Sequence, residues 1–183
     1  MADLSISPDD KRIVLALSPS RTYRENMLQL MKDIQKDPDL RVIVICVNQP
    51  AAYLSELYRK NGIDTGRVFF IDAITHYATG TAPAPSATCR FVSKPNDLTS
   101  MGIAVTSILK QFEGEKTVIF LDSVNAMLIH SSSADLTKFI HFIISKLRIL
   151  SIAGILLAVE KGLDPVLLTQ LSTFADDLVE FPE

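Results

Sequence analysis

Runs of apolar residues in this chain alternate with stretches in which apolar residues recur every three or four positions. Arg12-Ile13-Val14-Leu15-Ala16-Leu17 is an unbroken apolar run after its arginine, and Ser18-Pro19-Ser20 ends it, which predicts a strand and a turn. From Thr22 the period lengthens: Tyr23, Met27, Leu30, Met31 and Ile34 share one helical face, and Asp37-Pro38-Asp39 stops that helix. Arg41 to Val47 predicts a second buried strand. A helix opening at Pro50 follows, with Tyr53, Leu54, Leu57 and Tyr58 on one face and Asn61-Gly62 as its close. Arg67 to Ile71 predicts a third strand ending at Asp72. Strands and helices in strict alternation with short joins imply right-handed crossovers and a parallel sheet.

The pattern lapses between Ala73 and Pro95, where Gly80, Pro83 and Pro85 punctuate an irregular segment with one short strand candidate, Cys89-Arg90-Phe91-Val92. The expectation for 73–95 is a surface excursion or flexible insert without chemistry. Asn96 or Asp97 then caps a helix with Met101, Val105, Ile108, Leu109 and Phe112 inward, ended near Gly114. Thr117 to Leu121 is apolar without polar alternation, as a strand buried on both faces requires, and Asp122-Ser123 ends it. Ser132 and Asp135 start a helix that runs to about Leu150. Its stripe is Leu136, Phe139, Ile140, Ile143, Leu147 and Leu150, while Phe142, Ile144 and Ile149 stand off it, so its apolar surface is wider than one sheet face needs. Such a helix is either sandwiched in the core or offers a patch to a partner. Ile155 to Val159 predicts the next strand, Asp164-Pro165 starts a helix with Leu168 and Leu171 inward, and Asp177 to Phe181 alternates as an edge strand does.

With 183 residues, 48% of them hydrophobic, the chain suits one well-buried domain over 1–183. A net charge of -3 with no run of Lys or Arg speaks against nucleic acid as a partner. Cys46 and Cys89 lie far apart, one inside a core strand, so free thiols in a reducing cytoplasm are expected. Met1 to Arg12 carries Asp3, Asp9 and Asp10 and no apolar run, unlike a secretory signal. The longest apolar stretch, Ile149 to Val159, is about half the roughly 20 residues a membrane span needs. His76, His130 and His141 share no spacing, so no zinc pattern exists and no metal is expected.

A carboxylate at the carboxyl end of a parallel strand sits where α/β sheets bind ligands, which singles out Asp122. The order of elements resembles the RecA/KaiC-like P-loop ATPases over nearly the whole chain, and Asp122-Ser123 matches that family's Walker B segment. The resemblance implies a three-layer αβα fold with a mostly parallel sheet. It also implies a phosphate loop after Leu17, where this chain has Ser18-Pro19-Ser20-Arg21-Thr22-Tyr23-Arg24-Glu25. Both glycine positions, Ser18 and Tyr23, carry side chains; Arg24 replaces the lysine, and Glu25 replaces the magnesium-binding hydroxyl. That loop needs bare backbone to wrap a phosphate. The paired glutamates that activate water in KaiC-like proteins correspond here to Asn48 and Gln49, amides that cannot take a proton. Glu160 and the segment Phe174-Ala175-Asp176-Asp177 complete the resemblance.

The expectation is a pseudo-ATPase without cofactor or metal that serves as an interaction, assembly or regulatory module. Its partner is a protein or a second copy, and neither ATP nor a membrane is expected to bind. The alternative is nucleotide or phosphate binding by a non-standard route through Arg21, Arg24 and Asp122. A small-molecule-binding domain of other ancestry ranks below both, since no strand is followed by Gly-x-Gly-x-x-Gly. Without a loop hydroxyl to share an ion, Asp122 is expected to hydrogen-bond loop amides.

Overall fold

The computed structural model describes residues 10–183; the reading of Met1 to Arg12 as unlike a secretory signal falls mostly outside them. Seven parallel strands form one sheet: β1 (Ile13–Ser18), β2 (Arg41–Cys46), β3 (Val68–Asp72), β4 (Cys89–Phe91), β5 (Thr117–Asp122), β6 (Ala153–Val159) and β7 (Asp177–Glu180). Their order is β4-β3-β2-β5-β6-β1-β7. The helices are α1 (Tyr23–Ile34), α2 (Ala51–Lys60), α3 (Thr75–Thr79), α4 (Leu98–Gln111), α5 (Val124–Leu128), α6 (Ser133–Leu150) and α7 (Pro165–Phe174).

Strand residues alternate between two cores, one on each face of the sheet. Ile13, Leu15 and Leu17 of β1 and Ile43 and Ile45 of β2 face the core covered by α4, α6 and α7. Val42, Val44 and Cys46 face the other, covered by α1 and α2. Both faces are therefore apolar, and the strands read as unbroken hydrophobic runs. The three-layer αβα fold expected from the sequence is the one present. α6 lies close on β6 because Gly154 has no side chain: a methyl there would meet Leu147 Cδ1 at 2.8 Å and Ile13 Cδ1 at 3.1 Å.

The caps follow the expected chemistry. Asp97 accepts from the Ser100 amide, Ser132 from that of Asp135 and Asp164 from that of Leu167. Gly62 and Gly114 end their helices at φ 75° and 87°. Three details differ. Tyr53 faces outward, so the buried face of α2 is Ala51, Leu54 and Tyr58. In α6, Ile144 is buried, whereas Leu150, in the last turn, is 47% exposed. Leu167 joins Leu171 as the fully buried pair of α7, and Leu168 is half-buried. The segment 73–95 contains the short helix α3 as well as the expected strand, and α5 fills the space after Ser123. Cys46 and Cys89 are free and buried. Among the described residues, no helix is long and apolar enough to cross a membrane.

Candidate functional site

Parallel strands all deliver their last residues to one edge, and here the last residues of β1, β3 and β5, with the residue that follows β5, are polar yet buried. Ser18, Asp72, Asp122 and Ser123 are each 3% exposed or less. Asp72 and Asp122 stand level with each other, since both pair in register with Cys46 of the intervening β2.

Asp72 is saturated by local donors. Its Oδ1 accepts from the amides of Ile74 and Thr75 at 2.8 and 2.9 Å. Its Oδ2 accepts from the Ala51 amide at 2.8 Å and from the Thr75 hydroxyl at 2.6 Å. One carboxylate thereby ties β3 to the first turns of α2 and α3. The bonding of loop amides expected of Asp122 is carried by Asp72 instead, because the donors converge at the end of β3.

Asp122 accepts one side-chain hydrogen bond, on Oδ1, from the hydroxyl of Tyr23. Burial without further donors pushes its carboxyl up to about 6, and the Tyr23 bond pulls in the opposite direction. Burial raises the Tyr23 phenol as well, and the Asp122 charge adds to that. Ser123 turns away to cap α5, accepting from the Ala126 amide.

The join between β1 and α1 is a tight 3-10 turn over Ser20–Thr22 that leads directly into the helix. Asn26 staples it, donating to Ser18 Oγ at 2.8 Å and to Thr22 Oγ1 at 3.1 Å. Tyr23 leaves this turn toward Asp122. The resulting cleft, of about 380 Å³, is lined by Arg21, Arg24, Glu25, Asn48, Gln49 and Asp122. Arg24 donates to the Tyr53 hydroxyl at 3.3 Å, so Tyr53 roofs the cleft. Of the residues singled out in the sequence, Arg21, Tyr23, Arg24, Glu25, Asn48, Gln49 and Asp122 meet in this one cleft, while Ser18 and Ser123 are buried and do not line it. Glu160 falls in the turn after β6, and Asp176 lies at the opposite sheet edge, accepting from the Ile13 amide and from Arg148. Tyr53, Asn26 and Asp72 complete the arrangement and carry no motif that marks them in sequence; the one signal for Asp72 is that it, like Asp122, ends an apolar strand. Among the described residues, no group of three His, Cys, Asp or Glu could hold a metal.

A family model described as a family of unknown function (DUF7504) matches residues 13–181. Solved structures with similar folds include the KaiC-like protein PH0186 from the hyperthermophilic archaeon Pyrococcus horikoshii OT3. It is 12% identical at a TM-score of 0.64 over 94% of this chain and 73% of that one. The uncharacterized protein PH0321 from Pyrococcus horikoshii, in complex with an unknown peptide, is 13% identical at a TM-score of 0.69 over 96% of this chain and 78% of its own. At these identities the likeness is one of fold, and the fold is KaiC-like. No curated protein sequence matches the chain.

Proposed function

This chain belongs to the family of unknown function DUF7504, and from that premise we propose that it is a non-catalytic member of the RecA/KaiC-like fold class, an interaction, assembly or regulatory module and not an ATPase. The observation that carries this reading is the hydrogen bond from Tyr23 to Asp122. In an ATPase of this fold the strand-end carboxylate serves a metal held jointly with phosphates. Here a phenol from the turn itself engages that carboxylate, and the aromatic side chain occupies the approach to it. Nothing in the turn offers a wrap of bare amides, since Pro19 has no N–H and Ser20–Thr22 coil into a 3-10 turn. Glu25 adds negative charge at the cleft, and Asn48 and Gln49 bring no base.

An interaction role suits this architecture: PH0321 was solved with an unknown peptide bound to it. The second reading, anion binding, is favoured by one feature, the convergence of Arg21 and Arg24 on the cleft. Thermal-shift titration with ATP and magnesium separates the two, because a ligand of the folded state must raise the Tm. The proposal predicts no change. A concentration-dependent rise that Arg24→Ala abolishes would transfer the assignment to anion binding.

A further inference from the structure

The turn that joins β1 to α1 is held shut by two contacts of different chemistry. One is neutral: the Asn26 carboxamide donates to Ser18 Oγ and Thr22 Oγ1 and does not titrate. The other has a titratable acceptor. The Tyr23 hydroxyl donates to Asp122 Oδ1, and among the described residues the Asp122 carboxyl has no second donor. Tyr23 is the first residue of α1 and Asp122 the last of β5, so one bond ties the start of the helix to the end of the strand. Asp122 is 1% exposed yet lines the cleft, so displacing Tyr23 brings water to it.

The groups that face this carboxyl from the elements around it give its charge no buried cation. β2 contributes the Cys46 thiol, pushed up by burial and then by Asp72 and Asp122. The Tyr58 phenol of α2 and the Tyr23 phenol of α1 are raised by burial first and by Asp122 second. β3 contributes Asp72, level with Asp122 across β2 and held by its own four donors. Leu157 of β6, in register with Asp122, and α5 bring no titratable group. Arg21, Arg24 and Glu25 line the cleft at exposed positions, where water already solvates them. A carboxyl enclosed in this way favours its neutral form, because ionisation costs its hydration.

We infer that the Tyr23–Asp122 contact is a proton-operated latch on the cleft, closing the β1–α1 junction while Asp122 is protonated and releasing it as Asp122 ionises. The inference deepens the regulatory side of the role proposed above and rests on that reading only in taking the cleft to be free of nucleotide. Linkage sets the direction. In the closed junction burial pushes the carboxyl up to about 6, and once water reaches it the carboxyl returns toward its ordinary 3.8. Protons therefore bind the closed form more tightly. Opening is least favourable below pH 3.8, grows easier through the interval and levels off above about 6.

Amide hydrogen exchange, followed by NMR on the full chain without nucleotide and corrected for its intrinsic pH dependence, tests the latch. Met27 and Leu28 take their helical acceptors from the Tyr23 and Arg24 carbonyls, so their amides lose protection when the first turn of α1 opens. Phe120, at the centre of the sheet in β5, reports opening of the whole fold. Met27 and Leu28 are expected to exchange well ahead of Phe120, with opening that rises about fiftyfold from pH 4 to pH 7, as a carboxyl at 3.8 when open and about 6 when closed requires. Asp122→Asn abolishes the rise and Glu25→Gln leaves it in place. Tyr23→Phe, which keeps the ring and removes the donor, carries the rise to higher pH, a readout that stands even if the asparagine variant fails to fold. Opening independent of pH, a rise that survives Asp122→Asn or vanishes in Glu25→Gln, or exchange of Met27 and Leu28 only together with Phe120 overturns the inference. An ATP-dependent rise in Tm counts against the non-catalytic reading and leaves the exchange result standing, so the two failures are told apart.

Discussion

Asp72 and Asp122 end strands on either side of β2, level with Cys46 and equally buried, yet they do opposite things. Asp72 gathers four hydrogen bonds, three of them from backbone amides, and serves as a joint between β3, α2 and α3. Asp122 has one, from a tyrosine, and is pushed up to about 6 by its burial. Depth in the protein is the same for both; the supply of donors is what differs. A carboxylate given amides becomes structure, and one denied them stays poised to exchange a proton.

The comparison breaks most visibly at Asp72. Asp72→Ala orphans one buried and two half-buried amides and is expected to cost about 3–5 kcal/mol in urea unfolding, at one to three per unsatisfied donor less some relaxation. Asp122→Asn is expected to have the opposite sign. The folded carboxyl at about 6 lies above its ordinary 3.8, so the stability contributed by its protonated form is full below pH 3.8 and lost as pH rises through about 6. The rise from 3.8 to about 6 corresponds to about 3 kcal/mol. The wild type should therefore weaken by that order between pH 4 and pH 8, and the asparagine variant should not, as urea midpoints across that range will show.

That contrast was only half legible in the sequence. The strands β1, β2 and β5 and the helices α1, α4 and α6 announce themselves, because unbroken apolar runs and helical periods are local signals backed by local caps such as Asp97 and Ser132. α3 and α5, of five residues each, are too short to show a period. The functional contacts have no local signature at all. Tyr23 and Asp122 are 99 positions apart and Asp72 and Ala51 are 21, and only the strand order, which no run of residues encodes, brings them together. The motif positions Arg21, Arg24, Glu25, Asn48 and Gln49 are nevertheless visible, since a resemblance compares order along the chain; the spacing groups Tyr53 on one face with Leu54, Leu57 and Tyr58, and the structure turns it outward.

Two smaller effects sharpen the account of Asp122. Tyr23→Phe removes its one side-chain donor, so the Asp122 carboxyl should rise further and the pH–stability midpoint should move to higher pH, with a loss of about 1–2 kcal/mol near pH 7. Restoring acids at the cleft, Asn48→Glu with Gln49→Glu, alters exposed residues and should change stability by no more than about 0.5 kcal/mol. That double variant should also release no phosphate from ATP, because a base without a bound triphosphate has nothing to act on.

The most direct test is a crystal grown with ATP and magnesium at saturating concentration. The account predicts an empty turn at Ser20–Thr22, with the Tyr23 hydroxyl still on Asp122. A triphosphate seated on the amides of that turn, with Tyr23 displaced and magnesium beside Asp122, would contradict it.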